Sequence, residues 1–325
     1  VRIVITDTDH DSVDVETQVA ASRGIDLVVA QCQTEEEVIQ AAAGADGLIV
    51  QYAPITRRVF EALPGLAAVG RYGVGVDTID LEAATEHGVA ITNVPDYGTE
   101  EVSDHAISLA LSASRGVARL DRGIRRGDYS LEVAKPLFRL RGRVFGVVGL
   151  GNIGAATARK AKGVGFTAIG SDPAFEPGTI TADGIEVVTF EDLLERTDIL
   201  SVHAPLTART HHLIGTDAIS RMKPGTIVVN TSRGPLIDTA ALVSALQEGR
   251  LGGAALDVFE EEPLPIDSDL MSLDNVTLTP HAAWYSEESY QELKRRVIEN
   301  VADICAGIPV PNVVNPAFFD QMVKG

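Results

Sequence analysis

The stretch VFGVVGLGNIGAATARKAKGVGFTAIGSDP, residues 144–173, decides the fold. An apolar run with strand character leads directly into Gly149, Gly151 and Gly154, a helical segment follows, and a second apolar run ends at Asp172. Glycine at the first position permits a tight turn, at the second lets a pyrophosphate approach the backbone, and at the third lets helix and strand pack closely. Near Asn152 and Ile153 the free amides of the helix start would receive phosphates, with Leu150 in the same cofactor turn. An acidic side chain at 172 suits the ribose hydroxyls and repels a 2′-phosphate, and no arginine follows in DPAFEP, so NAD is favoured over NADP. The competing reading makes these glycines a structural turn and Asp172 a loop cap.

Outward from this motif the same alternation recurs on both sides. Before it, RIVIT, DLVVAQ, DGLIV, LAAVG and VAITNV alternate with helical patterns near 14–23, 34–44, 57–63 and 79–87. Such alternation builds a parallel sheet covered by helices on both faces. After NVPDYG a long helix is predicted over about 100–127, then a less regular segment containing Pro136. The second alternation runs through FTAIGSD, DILSVHA, TIVVNTS, GAALDVF and NVTLTP with helices near 190–196, 216–222 and 238–248, and a long amphipathic helix near 286–306 closes the chain. The expected architecture is α/β, two doubly wound parallel-sheet domains. One comprises 1–99 with 286–325, and a Rossmann NAD-binding domain, 100–285, is inserted into it. The cleft between them is the expected ligand site.

Composition narrows the partners. With 325 residues and 45% hydrophobic side chains, two cores are expected rather than one. A formal charge of −19 argues against nucleic acid, because phosphate binding needs a cationic footprint. Cys32 and Cys305 are the only cysteines and have no metal-ligand spacing. Asp7, Asp9 and Asp11 alternate as in a calcium loop, but Ser12 stands where glycine is required and Gln18 where the closing glutamate belongs, so no metal is expected. No signal-peptide pattern and no apolar run of about 18 residues is present, so a soluble, cytoplasmic protein without membrane contact is expected.

Ligands in open parallel sheets sit outside the carboxyl ends of the strands. There, TIVVN runs into TSRG with Arg233, GAALD supplies Asp257 and then Glu262, and VTLTP ends at His281. GLGNIG with Asp172, VVNTSRGPLID, GAALDVFEEEP and TPHAA, in this order and spacing, resemble the D-isomer-specific 2-hydroxyacid dehydrogenase family over nearly the whole chain. GRYGVGVDTID and TPHAAWYSEE are similar to its C-terminal-binding-protein branch of NAD-dependent corepressors. Ala282, Ala283 and Trp284 depart from the Gly-rich continuation of more typical dehydrogenases.

The resemblance implies roles. His281 would be the acid and base at the substrate oxygen. Glu262 would hold its other ring nitrogen and favour the imidazolium, and Arg233 would anchor the substrate carboxylate. Asp257 would orient the nicotinamide carboxamide. His203, Ala204 and Pro205, Thr231 and Ser232 with Arg233, and His281 with Ala283 would border the cofactor. Arg71, Val74, Gly75 and Trp284 would meet the substrate, the GVG backbone of Gly73–Gly75 serving as a carboxylate nest. In phosphoglycerate-type relatives a basic residue meets the phosphate about where Tyr52 stands here, so a small or apolar side chain such as that of glyoxylate, pyruvate, hydroxypyruvate or a longer 2-oxo acid fits better. A homodimer through the helix near 101–127 is also implied.

Each role has a structural rival. Arg233 could be a strand-end ion-pair partner, Glu262 one of three solvated carboxylates with Glu260 and Glu261, Arg71 a surface charge and Trp284 ordinary core. His211 and His212 read as surface. Tyr290 and Lys294 in YQELK have the Tyr-x-x-x-Lys spacing of short-chain dehydrogenases, but the glycine pattern is not theirs. Two functions therefore compete: a D-2-hydroxyacid dehydrogenase, and a binding protein of corepressor type that responds to NAD(H) with little or no turnover.

Overall fold

The computed structural model describes residues Val1–Phe318. Contacts divide the chain into two compact units, Val1–Tyr97 together with the chain from Ser286 on, and Gly98–Tyr285.

The first unit is built on β1 (Arg2–Ile5), α1 (Asp14–Arg23), β2 (Asp26–Val29), α2 (Glu35–Ala41), β3 (Gly47–Val50), α3 (Arg57–Ala62), β4 (Ala68–Arg71), α4 (Leu81–Glu86) and β5 (Ala90–Thr92). Its strands are all parallel in the order β2-β1-β3-β4-β5. Ile3, Val4 and Ile5 and Leu48, Ile49 and Val50 have no exposed surface. Strands covered on both faces are apolar at every position, which explains why their sequences lack alternation.

The second unit comprises α5 (Thr99–Arg115), α6 (Val117–Arg125), β6 (Val144–Val148), α7 (Asn152–Gly163), β7 (Thr167–Ser171), β8 (Glu186–Val187), α8 (Phe190–Arg196), β9 (Ile199–Val202), α9 (Thr216–Arg221), β10 (Thr226–Asn230), α10 (Thr239–Gln247), β11 (Leu251–Leu256) and β12 (Val276–Leu278). Its seven strands are parallel in the order β12-β11-β10-β9-β6-β7-β8. One face packs Ala106, Leu109 and Ala110 of α5 and Ala158 and Ala161 of α7 onto Phe145 and Val147. The other packs Leu193, Ile219 and Leu242 of α8, α9 and α10 onto Val148, Val202 and Val228. Both sheets are thus doubly wound, and the seven-stranded one has the Rossmann order with its reversal at the β6/β9 junction.

Two elements differ from expectation. The helix predicted over about 100–127 is broken at Gly116, which takes φ +64°, and a Cβ there would lie 2.8 Å from the Cβ of Ala134. A left-handed residue ends one helix and starts the next, and periodicity alone does not register it. The two-residue edge strand β8 was missed because it is too short for any pattern to form.

Helix α11 (Glu287–Cys305) returns to the first unit. It lies on β3 and β4 where they carry Gly47 and Gly70, since a Cβ on either would stand 2.5 Å from a methyl group of Val301. Lys294 of α11 is 1% exposed, reaches the carbonyl of Ser12 and pairs with the fully buried Glu16 of α1 at 3.6 Å. Its ammonium also lies 4.7 Å from the ring centroid of Tyr290, so the Tyr-x-x-x-Lys spacing is a packing motif. Beyond α11, Val313 bridges Thr92 antiparallel and Asn315 bonds the backbone of Val89 and Ile91, sewing the tail to the β5 edge.

Candidate active site

The glycine turn at the end of β6 has the dimensions its sequence suggests. Gly149 takes φ +88°, and a Cβ on it would fall 2.8 Å from the carbonyl oxygen of His203 at the end of β9. Any side chain would force those strand ends apart. At Gly154 a Cβ would meet the Gly149 oxygen at 1.9 Å, so the third glycine lets α7 close onto the strand. Around Gly151 nothing lies within 4 Å, which leaves the backbone bare on the side where α7 begins. No side chain caps that helix, so its first amides remain available to an anion.

At the end of β7, Asp172 accepts the Leu150 N–H at 2.7 Å with one oxygen and the Ala174 N–H at 2.8 Å with the other. A carboxylate oxygen has two lone-pair sites, so each retains one for a ribose hydroxyl. At the end of β10, the hydroxyl of Thr231, a residue only 8% exposed, has no hydrogen-bond partner among the described residues. A buried orphan of this kind is costly unless a ligand satisfies it. Ser232 donates to the Ala204 carbonyl at 2.7 Å, tying the ends of β10 and β9. The glycine cradle, the half-used carboxylate and the orphan hydroxyl fit a dinucleotide.

His203 bonds Ser201 at 2.8 Å through Nε2, and burial pushes its imidazole down to about 4. It is therefore neutral near pH 7.

His281, just beyond β12, has φ +52°, a left-handed conformation uncommon outside glycine and costing ~1–3 kcal/mol unless the surroundings enforce it. Three contacts enforce it. The His281 N–H donates to the Asp257 carbonyl at 2.7 Å. The Asp257 carboxylate accepts the N–H groups of Ala282 and Ala283 at 3.0 and 2.9 Å and the Thr279 hydroxyl at 2.5 Å. The indole of Trp284 donates to the His281 carbonyl at 2.9 Å.

Asp257, expected from the sequence to orient the cofactor, is a fully buried carboxylate whose oxygens brace the turn around His281. Thr279 links it further to His105 of α5, whose Nε2 lies 3.0 Å from the threonine hydroxyl. Neither His105 nor Thr279 was singled out from sequence, because nothing in their local pattern marks a residue that works through a neighbour.

Held this way, His281 presents Nδ1 to Glu262 at 2.7 Å. Burial alone would raise the Glu262 carboxyl, but the hydrogen bond and charge of His281, the Phe259 N–H and the nearby Arg233 charge together hold it below its ordinary value. Glu262 is therefore an anion at neutral pH, and its bond to Nδ1 leaves Nε2 as the ring nitrogen that Glu262 does not engage. Arg233 follows β10, Asp257 follows β11 and His281 follows β12, three neighbours in the sheet. The three glutamates of FEEEP are not equivalent. Glu262 takes His281, while Glu260 takes His212 at 2.5 Å, a partner assigned to the surface from sequence.

In the first unit, the Arg71 guanidinium lies over Gly73. A Cβ on that glycine, at φ +127°, would be 1.8 Å from Nη1. Val94 N–H and the Asn93 side chain bond the carbonyls of Gly73 and Val74 at 2.9 and 2.6 Å, fixing the GVG loop. Tyr52, 53% exposed, donates to Asp9 at 3.2 Å, and Gln51 holds the same carboxylate.

Among the described residues no group of side chains could hold a metal ion, and no helix is long and apolar enough to cross a membrane.

Comparison with known proteins shows which family this chain resembles. Residues 107–283 match the family model described as D-isomer specific 2-hydroxyacid dehydrogenase, NAD binding domain. A glyoxylate reductase of Korarchaeum cryptofilum is 42% identical over 287 residues, covering 87% of this chain and 86% of that protein. A D-3-phosphoglycerate dehydrogenase of Methanocaldococcus jannaschii is 39% identical over 318 residues, which span 97% of this chain but 59% of that longer protein. The solved D-lactate dehydrogenase from Aquifex aeolicus, complexed with NAD and lactic acid, superposes with a TM-score of 0.85 at 26% identity, covering 96% of this chain and 99% of that one.

Proposed function

Because the chain belongs to the D-isomer-specific 2-hydroxyacid dehydrogenase family of NAD-dependent oxidoreductases, we propose that it interconverts a D-2-hydroxy acid and its 2-oxo acid with His281 as the acid and base. The observation that carries this reading is the 2.7 Å bond between His281 Nδ1 and Glu262, because it frees Nε2 for the substrate oxygen.

NADH, when bound, supplies the hydride. In the reducing direction His281 donates its Nε2 proton to the carbonyl oxygen of the substrate, and in the oxidising direction the neutral ring takes the hydroxyl proton. Glu262 holds the ring through Nδ1, and Arg233 holds the substrate carboxylate in a planar fork that also polarises the carbonyl. Gly149, Leu150, Gly151, Asn152, Ile153 and Gly154 cradle the pyrophosphate and Asp172 takes the ribose. His203, Ala204, Pro205, Thr231, Ser232 and Ala283 line the remainder, and Asp257 contributes through the oxygen that accepts the Ala283 N–H.

Arg71, Val74, Gly75 and Trp284 bind substrate. The Tyr52–Asp9 pair supports an uncharged substrate tail, since a phosphate near it would meet a carboxylate rather than a cation. Val117, Ile124, Tyr129 and Leu131, each more than half exposed, support burial of this surface against a second copy of the chain.

The test is NADH oxidation with glyoxylate, pyruvate, hydroxypyruvate and 3-phosphohydroxypyruvate. Turnover of at least one unphosphorylated acid, with the phosphorylated one poorest, is the expected result, and His281→Asn abolishes turnover while sparing NADH binding. Tight NADH binding without turnover on any acid would instead favour an NAD(H)-responsive binding protein.

A further inference from the structure

Two histidine–glutamate pairs stand side by side in the second unit, and the proposed chemistry uses one. The other joins three segments of chain. Glu260 receives the His212 ring at 2.5 Å on one oxygen and the Thr239 N–H, at the start of α10, at 2.9 Å on the other. Asp238 lies 3.9 Å from the far nitrogen of the same ring. The His212 N–H donates to the Pro235 carbonyl at 2.8 Å, so the histidine is also fastened to the segment that follows Arg233. His212 takes φ +51°, a conformation a β-carbon residue accepts only when its surroundings insist.

The loop carrying Glu262 is pinned at the same place. A Cβ on Gly234 would fall 1.8 Å from the Phe259 carbonyl carbon, so the segments after β10 and β11 touch backbone to backbone. Glu262 itself accepts the Phe259 N–H at 2.9 Å while holding His281. Glu260, two residues earlier, is the one member of this loop anchored outward to His212 and α10.

We propose that Glu260 and His212 are positioning residues that set the His281–Glu262 geometry, an inference that rests on the role given to His281 above. With His212 and Thr239 occupying both oxygens of Glu260, Glu262 is the carboxylate bonded to the His281 ring. The outward anchor also resists drift of the loop. A displacement of about 1 Å in a reacting array costs on the order of 100-fold in rate.

The test compares Glu260→Ala, His212→Ala and His212→Gln with the unaltered protein. The nitrogen chemical shifts of the His281 ring, assigned with His281→Asn, report its hydrogen bond to Glu262 without any turnover. Glu260→Ala and His212→Ala are expected to move those shifts and to lower kcat about 10- to 100-fold, with KM for NADH within about twofold. His212→Gln retains a donor toward Glu260 and recovers most of both. Ring shifts in His212→Ala that superpose on those of the unaltered protein overturn the proposal, whatever happens to kcat. His212 lies outside the loop, so this variant decides the matter even if Glu260→Ala fails to fold. An unaltered protein inactive on every acid, yet with ring shifts that respond to His212→Ala, would overturn the reaction and leave the positioning role standing.

Discussion

The indole N–H of Trp284 is bonded to the carbonyl oxygen of His281 at 2.9 Å, three residues back along the chain. The tryptophan therefore fixes the backbone of His281, the residue proposed above as the acid and base. Trp284→Phe keeps an aromatic ring, smaller than the indole, and deletes the donor. Losing one neutral hydrogen bond is worth ~1 kcal/mol, so kcat is expected to fall about 5-fold while KM for NADH stays near its original value. Steady-state kinetics with saturating NADH measure it, and an unchanged kcat would remove Trp284 from the catalytic turn.

The glycines of the nucleotide turn make separable predictions. Gly151→Ala meets open space, so the fold keeps its stability, while the added methyl stands where a pyrophosphate must approach and NADH binds about 10-fold more weakly. Gly154→Ala drives a Cβ into the Gly149 oxygen and lowers stability by several kcal/mol, of the order seen for overpacked sites. Urea titrations alongside fluorescence titration with NADH separate the two. Equal losses of stability in both variants would contradict the assigned roles.

Burial of the Glu16–Lys294 pair predicts a non-additive response. Lys294→Met strands a buried carboxylate and costs ~3–5 kcal/mol, whereas Lys294→Met combined with Glu16→Gln restores most of the loss. A double-mutant cycle by chemical denaturation reads the coupling directly. Additive effects would show that the two side chains do not sense each other.

Acid should destabilise the fold well above the carboxylate range. His10 is pushed from an ordinary 6.5 to about 4, by burial first and then by the Lys294 charge, and burial does the same to His203. Between those values the unfolded chain binds protons that the folded chain refuses, so stability is complete above about 6.5 and is lost as pH falls toward about 4. Urea midpoints measured across this window test it. His10→Gln should flatten the slope, and an unchanged slope would place the linkage elsewhere.

Much of the fold was legible because its signals are periodic or punctuated. Buried strands such as Leu48–Val50 stand out as short apolar runs bounded by turn residues, and the Gly149–Gly154 turn by its glycine spacing between a strand and a helix. Strand ends also point to Arg233 after β10, to Asp257 and then Glu262 after β11, and to His281 after β12, and the structure joins His281 to Glu262 at 2.7 Å. What escaped such signals depends on contact rather than pattern. Gly116 breaks a helix through its left-handed φ, and helical periodicity passes straight over it. Glu260 and Glu262 are chemically alike in FEEEP, and only the fold gives one to His212 and the other to His281. Asp257 was noticed for its place at a strand end, yet the work visible in the structure is done by oxygens aimed at the amides of the next strand's turn.

Gly98 and Trp284 lie against each other, since a Cβ on the glycine would stand 3.5 Å from the tryptophan's carbonyl oxygen. Entry and exit of the Gly98–Tyr285 segment are therefore stitched together at one spot. Recombination could lift that segment whole into another gene and keep its ends joined, whereas the host it leaves behind is written as two separate halves that must find each other each time the chain folds.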